Sequence, residues 1–221
     1  MMKTKDAKHG PRVLMIERNV LTMFEAIKDF LKHFDGLLTI QTFPDNKQVK
    51  DENKNLTNLF SWDGTEEMVV RLKNLNQKGS GVYFCVNELN SSYERRNESV
   101  KNIRAFFLDL DGSPLNPVLE STFPPDLIVR TSSNRFHCYW VLDKKVTADR
   151  EKFRDIQRNI AKRFNGDQSI NDLCRVMRVP CFYNMKKDPF LVKWIKITDE
   201  IKKDMASGKI NEESLLTLLW R

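Results

Sequence analysis

The stretch Ile103–Gly112 (IRAFFLDLDG) decides the fold of this chain of 221 residues. Its β-branched, apolar and aromatic residues predict a β-strand over Ile103–Leu110. Side chains two residues apart in a strand point to the same face, so Asp109 and Asp111 are predicted to present their carboxylates side by side. The phenylalanine and leucine that precede them anchor the end of the strand in the core.

Two neighbouring carboxylates repel each other, and a bound divalent cation relieves that repulsion. Mg²⁺ typically takes one or two carboxylates together with the phosphates of a substrate. The pair Asp109 and Asp111 therefore indicates phosphoryl or nucleotidyl transfer. The alternative is a pair of solvated residues at the end of a strand that leads into a turn at Gly112, and the motif alone does not separate the two interpretations.

Helices and strands alternate ahead of this strand. Apolar residues at helical spacing predict amphipathic helices over Val20–Phe34 and Thr65–Leu75. Alternating or β-branched runs predict strands over Leu38–Phe43 and Gly81–Asn87. The segment Pro44–Asn58 is rich in Lys, Asn and Asp, and it is predicted to be a surface loop.

A hairpin, further helices and one more strand follow the carboxylates. The runs Leu127–Thr131 and Phe136–Leu142 flank a turn-forming segment and predict a β-hairpin. The remaining predicted elements are a helix over Thr147–Phe164, a short helix over Asp172–Met177, a strand over Leu191–Ile197 and one or two helices after Thr198. Together these elements predict a mixed α+β fold with a largely antiparallel sheet.

Composition narrows the class of protein. The formal net charge of +7 comes from basic residues along the whole chain, which is consistent with a polyanionic partner. The four cysteines lack the close pairing of a zinc site, and they are predicted to be buried thiols of a reducing compartment. No long apolar run is present, so no membrane partner is expected.

The turn of the predicted hairpin, Thr131–His137, combines hydroxyl groups, an amide, an arginine and a histidine. Such groups donate hydrogen bonds to phosphate oxygens, and Arg135 can do so through two nitrogens at once. Ser133 and His137 are candidates for the same role. The alternative for His137 is a structural side chain that is satisfied within the sheet.

A further group of candidates follows the long helix, within Asn165–Pro180. Asp167 supplies a third carboxylate. Arg175 and Arg178 are spaced to share one face of the predicted short helix, which suits a clamp for a triphosphate or a template backbone. Asp172 could bind metal, or it could instead cap that helix or pair with Arg175. Additional polar candidates are Asn87, Arg95, Asn184 and Lys186.

Taken in order, these motifs resemble the archaeo-eukaryotic primase superfamily, and most closely the primase-polymerases of plasmids, phages and integrated elements. The first family motif, hhhDhD, matches the stretch that contains Asp109 and Asp111. The second motif, a small residue, any residue and then histidine, matches His137, with Arg135 where the small residue is expected. The third motif, a hydrophobic residue and then Asp ahead of a basic R-x-x-R-x-P segment, matches Asp167, with a glycine in the preceding position.

The resemblance implies roles for the site residues. Asp109, Asp111 and Asp167 would bind two divalent cations, Mg²⁺ or Mn²⁺. For the third ligand, Asp167 fits the family spacing better than Asp172. The residues implied in nucleotide binding are His137, Arg135, Ser133, Arg175 and Arg178. The implied substrates are ribo- or deoxynucleoside triphosphates and a single-stranded DNA template.

The resemblance also implies an architecture. An RRM-like, largely antiparallel sheet with flanking helices would lie beside an N-terminal αβ module, with the active site in the cleft between them. Residues 1–197 would form the catalytic domain, and residues 198–221 would form a helical appendage or a linker to a further domain, such as a replicative helicase. The protein is expected in the cytoplasm of a bacterial or archaeal host, encoded by a plasmid, phage or other mobile element.

Two other functions fit parts of the same pattern. A non-catalytic replication initiator that binds single-stranded nucleic acid would keep the sheet without the chemistry. A metal-dependent nuclease would use paired carboxylates for hydrolysis. A rolling-circle initiator is disfavoured, because the chain has no pair of histidines around one hydrophobic residue.

Overall fold

The computed structural model describes residues 11–46 and 54–218. Within these ranges the helices are α1 (Pro11–Leu31), α2 (Glu66–Gln77), α3 (Asn116–Leu119), α4 (Arg150–Arg163), α5 (Asp199–Ala206) and α6 (Glu212–Leu218). The strands are β1 (Thr39–Pro44), β2 (Asn58–Ser61), β3 (Ser80–Cys85), β4 (Glu88–Leu89), β5 (Val100–Asp111), β6 (Leu127–Ser132), β7 (Arg135–Thr147), β8 (Val176–Arg178), β9 (Tyr183–Asn184), β10 (Phe190–Leu191) and β11 (Lys193–Lys196). Short 3-10 helices span Lys54–Leu56 and Asn97–Ser99.

Two antiparallel sheets carry the fold. The larger has five strands in the order β11-β6-β7-β5-β4, and the smaller has four strands in the order β2-β1-β3-β8. Strands β9 and β10 form a separate short pair. Each strand pairing in the described ranges is antiparallel. The prediction of a mixed α+β fold with a largely antiparallel sheet is therefore confirmed.

An aromatic cluster joins α1 to both sheets. The ring centroids of Phe34 and Phe84 lie 4.7 Å apart, and those of Phe34 and Tyr139 lie 5.6 Å apart. Phe34 follows α1, Phe84 belongs to the smaller sheet through β3, and Tyr139 belongs to the larger sheet through β7. All three rings are fully buried, so the hydrophobic effect and ring packing hold the two sheets together at this point.

A second core lies on the other face of the five-stranded sheet. Leu108 and Leu110 of β5 belong to it, whereas Phe107, directly before Leu108, points to the other face and belongs to the first core. Ile197 and Leu215 are also buried in the second core, so the predicted helices after Thr198 are present and pack against it. Within the described ranges, no helix combines the length and the apolar character that crossing a bilayer requires.

Buried Arg104 connects β5 to the smaller sheet and to the turn after α1. Its guanidinium donates hydrogen bonds to five backbone carbonyls, those of Phe34, Asp35, Leu37, Cys85 and Val86. Burial lowers the pKa of Arg104 to about 10, so the side chain is still charged at neutral pH. Carbonyl oxygens thus stabilise this buried cation, and the sheets are joined by polar as well as apolar contacts.

The outer edge of β5 is open near its carboxylates. Strand β4 pairs only with the first part of β5, at Val100 and Asn102. Further along, the side-chain amide of Gln157 accepts a hydrogen bond from the Phe107 N–H (3.1 Å) and donates one to the Phe107 carbonyl (3.0 Å). Gln157 lies on α4 and is 1% exposed. The helix therefore takes the place of a neighbouring strand and is held at one position along β5.

The predicted short helix over Asp172–Met177 is wrong. A single turn, closed by the Arg175 N–H on the Asp172 carbonyl (3.3 Å), is followed by strand β8. This strand pairs with β3, and Arg178 stands opposite Tyr83 in the register. The β-branched residues of this segment favour a strand, and the open edge of β3 supplies a pairing partner that overrides the helical spacing of the two arginines.

Two predicted boundaries also change. Within Pro44–Asn58, Pro44 is the last residue of β1 and Asp45 is buried, so this part of the segment is not the predicted surface loop. Residues 47–53 lie outside the described residues. Helix α4 begins later than the predicted Thr147, because β7 continues through that residue and the Asp149 carboxylate caps the helix by accepting from the Lys152 N–H (3.1 Å).

All four cysteines are free. Cys85, Cys138 and Cys174 are buried, and Cys181 is partly buried. Burial raises the pKa of the Cys85 thiol to about 12, which keeps it protonated at neutral pH. The prediction of buried thiols is confirmed for the first three.

We expect Gln157→Leu to lower the free energy of unfolding by roughly 2–4 kcal/mol, because it leaves the buried N–H and carbonyl of Phe107 without partners. Chemical denaturation followed by circular dichroism measures this difference. The same change at the adjacent exposed residue, Arg158→Leu, is the control and is expected to cost less than about 0.5 kcal/mol. Equal effects of the two changes would contradict the role given to Gln157.

Candidate functional site

A cleft of about 400 Å³ lies where the ends of the two sheets meet. The smaller sheet contributes β1, β3 and β8 to its walls, and the larger sheet contributes β5, β6 and β7. The predicted site residues that line it are Asp109, Asp111, Arg135, His137, Asp167, Arg175, Arg178, Asn184 and Lys186. Ser133, Asp172, Asn87 and Arg95 are not among the residues that line this cleft.

The first two carboxylates stand in register with two residues of β7. Asp109 pairs with His137, and Asp111 pairs with Arg135. The Arg135 Nε lies 2.5 Å from Asp111 Oδ1, which is an ion pair. The His137 Nε2 lies 4.0 Å from Asp109 Oδ1, which is beyond hydrogen-bonding distance. Asp109 and Asp111 line the same cleft, which agrees with the prediction that both carboxylates face the same side of one strand.

Hydrogen bonds of its backbone N–H and of its carboxylate hold Asp167 in the cleft wall. Its N–H donates to the Asp109 carbonyl (3.0 Å), and its carboxylate accepts from the Ser169 N–H (2.9 Å). A Cβ at the preceding residue, Gly166, would lie 2.4 Å from the Leu108 side chain and 3.0 Å from the Asp109 carbonyl oxygen. A side chain at this position would have to displace Leu108 or the turn itself, so glycine suits this close approach.

A second link holds the same turn. Asn165, at the end of α4, has a positive φ of 53°, which turns the chain sharply towards β5. The Ser113 hydroxyl donates to the Asn165 carbonyl (2.5 Å), and the Asn165 amide donates to the same hydroxyl (3.1 Å). The end of β5 and the loop after it are thus bonded to the loop after α4 at two points, between Asp109 and Asp167 and between Ser113 and Asn165.

The three carboxylates affect one another electrostatically. The pKa of Asp109 is raised to about 6, chiefly by burial and then by the negative charges of Asp111 and Asp167, while Lys186 and Arg135 act in the opposite direction. Asp109 therefore lies close enough to both partners to be destabilised by them. A cation bound beside these carboxylates would relieve the repulsion.

The carboxylates fit an ion that also takes substrate ligands. In the part of the chain that the structure describes, no three acidic, histidine or cysteine side chains are arranged to enclose an ion. Mg²⁺ usually keeps several waters and binds through one or two carboxylates plus phosphates. Three oxygen-donor side chains around one cleft suit that mode of binding, and they do not suit an all-protein cage.

His137 is neutral in this environment. Burial lowers its pKa to about 3, and the positive charges of Arg178 and Lys186 act in the same direction. Its Nδ1 lies 3.4 Å from the Tyr139 hydroxyl, within the sheet. His137 can therefore offer a ligand one hydrogen bond, but it supplies no positive charge.

Arg178 forms a buried ion pair that the sequence analysis missed. Its two terminal nitrogens donate to the Asp45 carboxylate at 3.0 and 2.7 Å, and the two side chains are 5% and 0% exposed. The Tyr83 hydroxyl and the Met185 N–H also donate to this carboxylate, each at 2.7 Å. Asp45 thus joins the end of β1 to β8 and to the segment after β9. The position of this acid directly after a strand was the one signal available from the sequence.

Arg175 differs from Arg178 in having a free donor. Arg175 forms an ion pair with Asp172, so this acid takes the predicted alternative of pairing with Arg175. Its Nε is buried and has no hydrogen-bond partner among the described residues. A buried donor without a partner costs free energy, so Arg175 is suited to donate a hydrogen bond to a ligand oxygen in the cleft.

The remaining candidates divide between the cleft wall and the framework. Asn184 donates to the Thr131 carbonyl (2.8 Å) and accepts from the Lys186 N–H (3.2 Å), so it holds Lys186 at the cleft. Desolvation and the nearby Arg178 lower the pKa of Lys186. Ser133 is exposed, and its carbonyl accepts a hydrogen bond within the hairpin turn.

Asn87 and Arg95 have internal partners. Asn87 is fully buried, donates to the Leu173 carbonyl (3.1 Å) and accepts from the Arg104 N–H (3.0 Å). Arg95 donates to the Cys174 carbonyl at 3.0 Å and to the Gln41 side chain at 3.3 Å. Both side chains therefore stabilise the segments around the cleft.

Comparison with known proteins identifies the family. The profile of the RepB DNA-primase N-terminal domain matches residues 47–207. The chain belongs to this family. The resemblance to the archaeo-eukaryotic primase superfamily, of the plasmid and phage primase-polymerase type, is thereby confirmed. Among curated proteins, none matches the sequence.

Solved structures share the fold of this RepB-type primase domain. The archaeo-eukaryotic primase domain of the cyanophage S-2L primase-polymerase has a TM-score of 0.61 at 16% identity, over 83% of this chain and 96% of that one. The primase RepB′ has a TM-score of 0.59 at 18% identity, over 89% and 65% of the two chains. The catalytic domain of RepB′ in complex with initiator DNA has a TM-score of 0.56 at 17% identity, over 85% and 95%. At these identities the likeness shows the fold alone.

We expect Asp45→Asn to lower the free energy of unfolding by about 3–5 kcal/mol, because it leaves the buried Arg178 guanidinium without its counter-charge. Denaturant titration at neutral pH measures the loss. The control is Asp172→Asn, which breaks the more exposed pair with Arg175 and is expected to cost about 1 kcal/mol or less. A loss at Asp45 no larger than the loss at Asp172 would show that the buried pair does not hold the cleft wall.

Proposed function

We propose that this domain synthesises primers, and extends them, on a single-stranded DNA template by nucleotidyl transfer assisted by two divalent cations, Mg²⁺ or Mn²⁺. The observation that carries the proposal is the convergence of Asp109, Asp111 and Asp167 on one cleft in a member of a primase family. The structure of RepB′ with initiator DNA supports DNA as the template.

The proposed catalytic centre is the end of β5 with the turn after α4. Divalent cations held there would lower the pKa of the attacking hydroxyl group and neutralise the leaving pyrophosphate. Asp109 and Asp111 would each contribute oxygen ligands from β5, and Asp167 would contribute from the turn after α4. The Asp167 N–H fixes this third acid relative to the Asp109 backbone and needs no metal to do so.

The proposed nucleotide contacts come from β7 and from the segment before β8. Arg175 would use its unpartnered Nε on a phosphate oxygen, and neutral His137 would give one hydrogen bond. Arg135 would exchange Asp111 for the triphosphate, to which it can bind through two nitrogens. Lys186 would add a positive charge at the same wall.

Arg178 has a different part in this proposal. Its terminal nitrogens already bond to Asp45, so it would shape the phosphate-binding wall and contribute its charge without a direct contact. Residues 1–197 would act as an RRM-like catalytic domain with its N-terminal αβ module. Residues 198–221 would be an appendage that leads to a further replication module, such as a helicase.

We expect Asp109→Asn and Asp111→Asn each to reduce primer synthesis by roughly 100-fold or more, because metal-assisted stabilisation of charge is worth several kcal/mol. The assay measures incorporation of labelled nucleotides on single-stranded DNA with Mg²⁺ or Mn²⁺. Asp155→Asn, at an exposed acid of α4 outside the cleft lining, is the matched control and is expected to retain activity.

Three outcomes would contradict this proposal. Undiminished synthesis in either variant would remove the two carboxylates from the catalytic centre. Shortened template strands would instead indicate a nuclease. Binding of single-stranded DNA that is indifferent to chelators, with no synthesis, would indicate a non-catalytic initiator.

We expect His137→Ala to raise the apparent KM for nucleotide more than it lowers kcat, because the lost hydrogen bond acts in binding. His137→Asn keeps a neutral donor and is expected to recover part of the loss. Initial rates over a range of nucleotide concentrations measure both constants, and circular dichroism checks that each variant is folded. A fall in kcat with an unchanged KM would contradict a binding role.

A further inference from the structure

The loop between β4 and β5 displays a tyrosine to solvent. Tyr93 is 94% exposed, although aromatic side chains usually bury most of their surface. Arg96, three residues further along the loop, is also exposed, and its contact with Glu94 (3.0 Å) is a surface ion pair that contributes little stability. The loop therefore presents one aromatic ring and one guanidinium to solvent.

This loop is held firmly on both sides of the tyrosine. Before it, the Ser92 hydroxyl lies 3.3 Å from the Thr39 hydroxyl. After it, Arg95 bonds to Gln41 and to the Cys174 carbonyl, and Asn97 accepts from the Cys174 N–H at 3.2 Å. Side-chain hydrogen bonds thus hold the chain on both sides of Tyr93, whose ring is exposed.

The same contacts connect the loop to the cleft. Cys174, which the loop contacts twice, directly precedes Arg175 in the cleft lining. Gln41, which Arg95 contacts, stands opposite Tyr83 in the register of β1 and β3. Tyr83 in turn stacks on Phe43 inside the cleft, with ring centroids 4.3 Å apart and planes 18° apart. Gln41 and Phe43 lie two residues apart in β1, so their side chains are on the same face of the smaller sheet. The contacts that lead from Phe43 through Gln41 to Arg95 in the Tyr93 loop therefore lie along this face.

We propose that Tyr93 is a stacking platform for a base of single-stranded DNA that runs along this face to or from the cleft. The identity of the strand rests on the function proposed above. Proteins that bind single strands without sequence preference combine aromatic rings with basic groups that meet the phosphates, and this loop offers the exposed Tyr93 ring and the exposed Arg96 guanidinium. The net charge of +7 favours a polyanion over an acidic or neutral protein surface as the occupant.

The test is binding of a fluorescein-labelled oligothymidylate, measured by anisotropy without nucleotide or metal. Tyr93→Ala is expected to weaken binding roughly 5- to 150-fold, the range found for loss of one stacked base. Tyr93→Phe keeps the ring and is expected to bind like the unaltered protein. The matched control is Phe123→Ala, at a ring that is 78% exposed in the segment before β6, and it is expected to leave binding unchanged.

Three results would overturn the stacking site: unchanged binding by Tyr93→Ala, an equal loss in Phe123→Ala, or a loss in Tyr93→Phe as large as in Tyr93→Ala. Primer synthesis by the unaltered protein, measured in parallel, separates this inference from the proposed function. Binding that depends on the ring, without primer synthesis, would reject the function and keep the site. Primer synthesis together with binding that does not depend on Tyr93 would keep the proposed function and reject the stacking site.

Discussion

The hydrogen bonds between the Gln157 amide and the backbone of Phe107 close the open edge of the strand that carries the carboxylates. Because β4 pairs only with the start of β5, something else must satisfy the buried groups further along. Helix α4 does so, and its attachment determines where the chain emerges after Arg163. From there, the Gly166 turn delivers the Asp167 N–H to the Asp109 carbonyl. The third acid of the candidate site is thus positioned by the need to cover a strand edge.

The basic residues of the chain divide into internal and external groups. Arg104 is surrounded by carbonyls, Arg178 by the Asp45 carboxylate, and Arg95 by groups that anchor its own loop. These cations hold the two sheets and the cleft wall together. The charges free to meet phosphates are those with exposed or replaceable partners, among them Arg135 and Arg96. The net charge of the chain therefore overestimates how much positive charge is available on the surface to bind nucleic acid.

The sequence predicted the parts of the site that depend on one element. Asp109 and Asp111 share a face because side chains alternate along a strand, and that rule needs no tertiary information. Asp167 was found from its spacing in a family pattern, but its approach depends on a glycine packed against β5. The helix predicted for Asp172–Met177 failed because two arginines at helical spacing do not outweigh an unpaired strand edge on β3. Asp45 was missed because its burial depends on partners far away along the chain.

The pair formed by Arg135 and Asp111 links the two kinds of ligand that the proposed reaction needs. In the structure, the Arg135 guanidinium is the counter-charge of the Asp111 carboxylate. The neighbouring Asp109 has a raised pKa because of burial and repulsion from the other carboxylates. In the proposed function, an arriving triphosphate would compete for the guanidinium, since a bidentate phosphate contact is stronger than an exposed ion pair. Asp111 would then lose its counter-charge while phosphate oxygens lay beside it, and these are the ligands that Mg²⁺ prefers. Nucleotide binding and metal binding would therefore favour each other at this site, each raising the affinity for the other by the same factor.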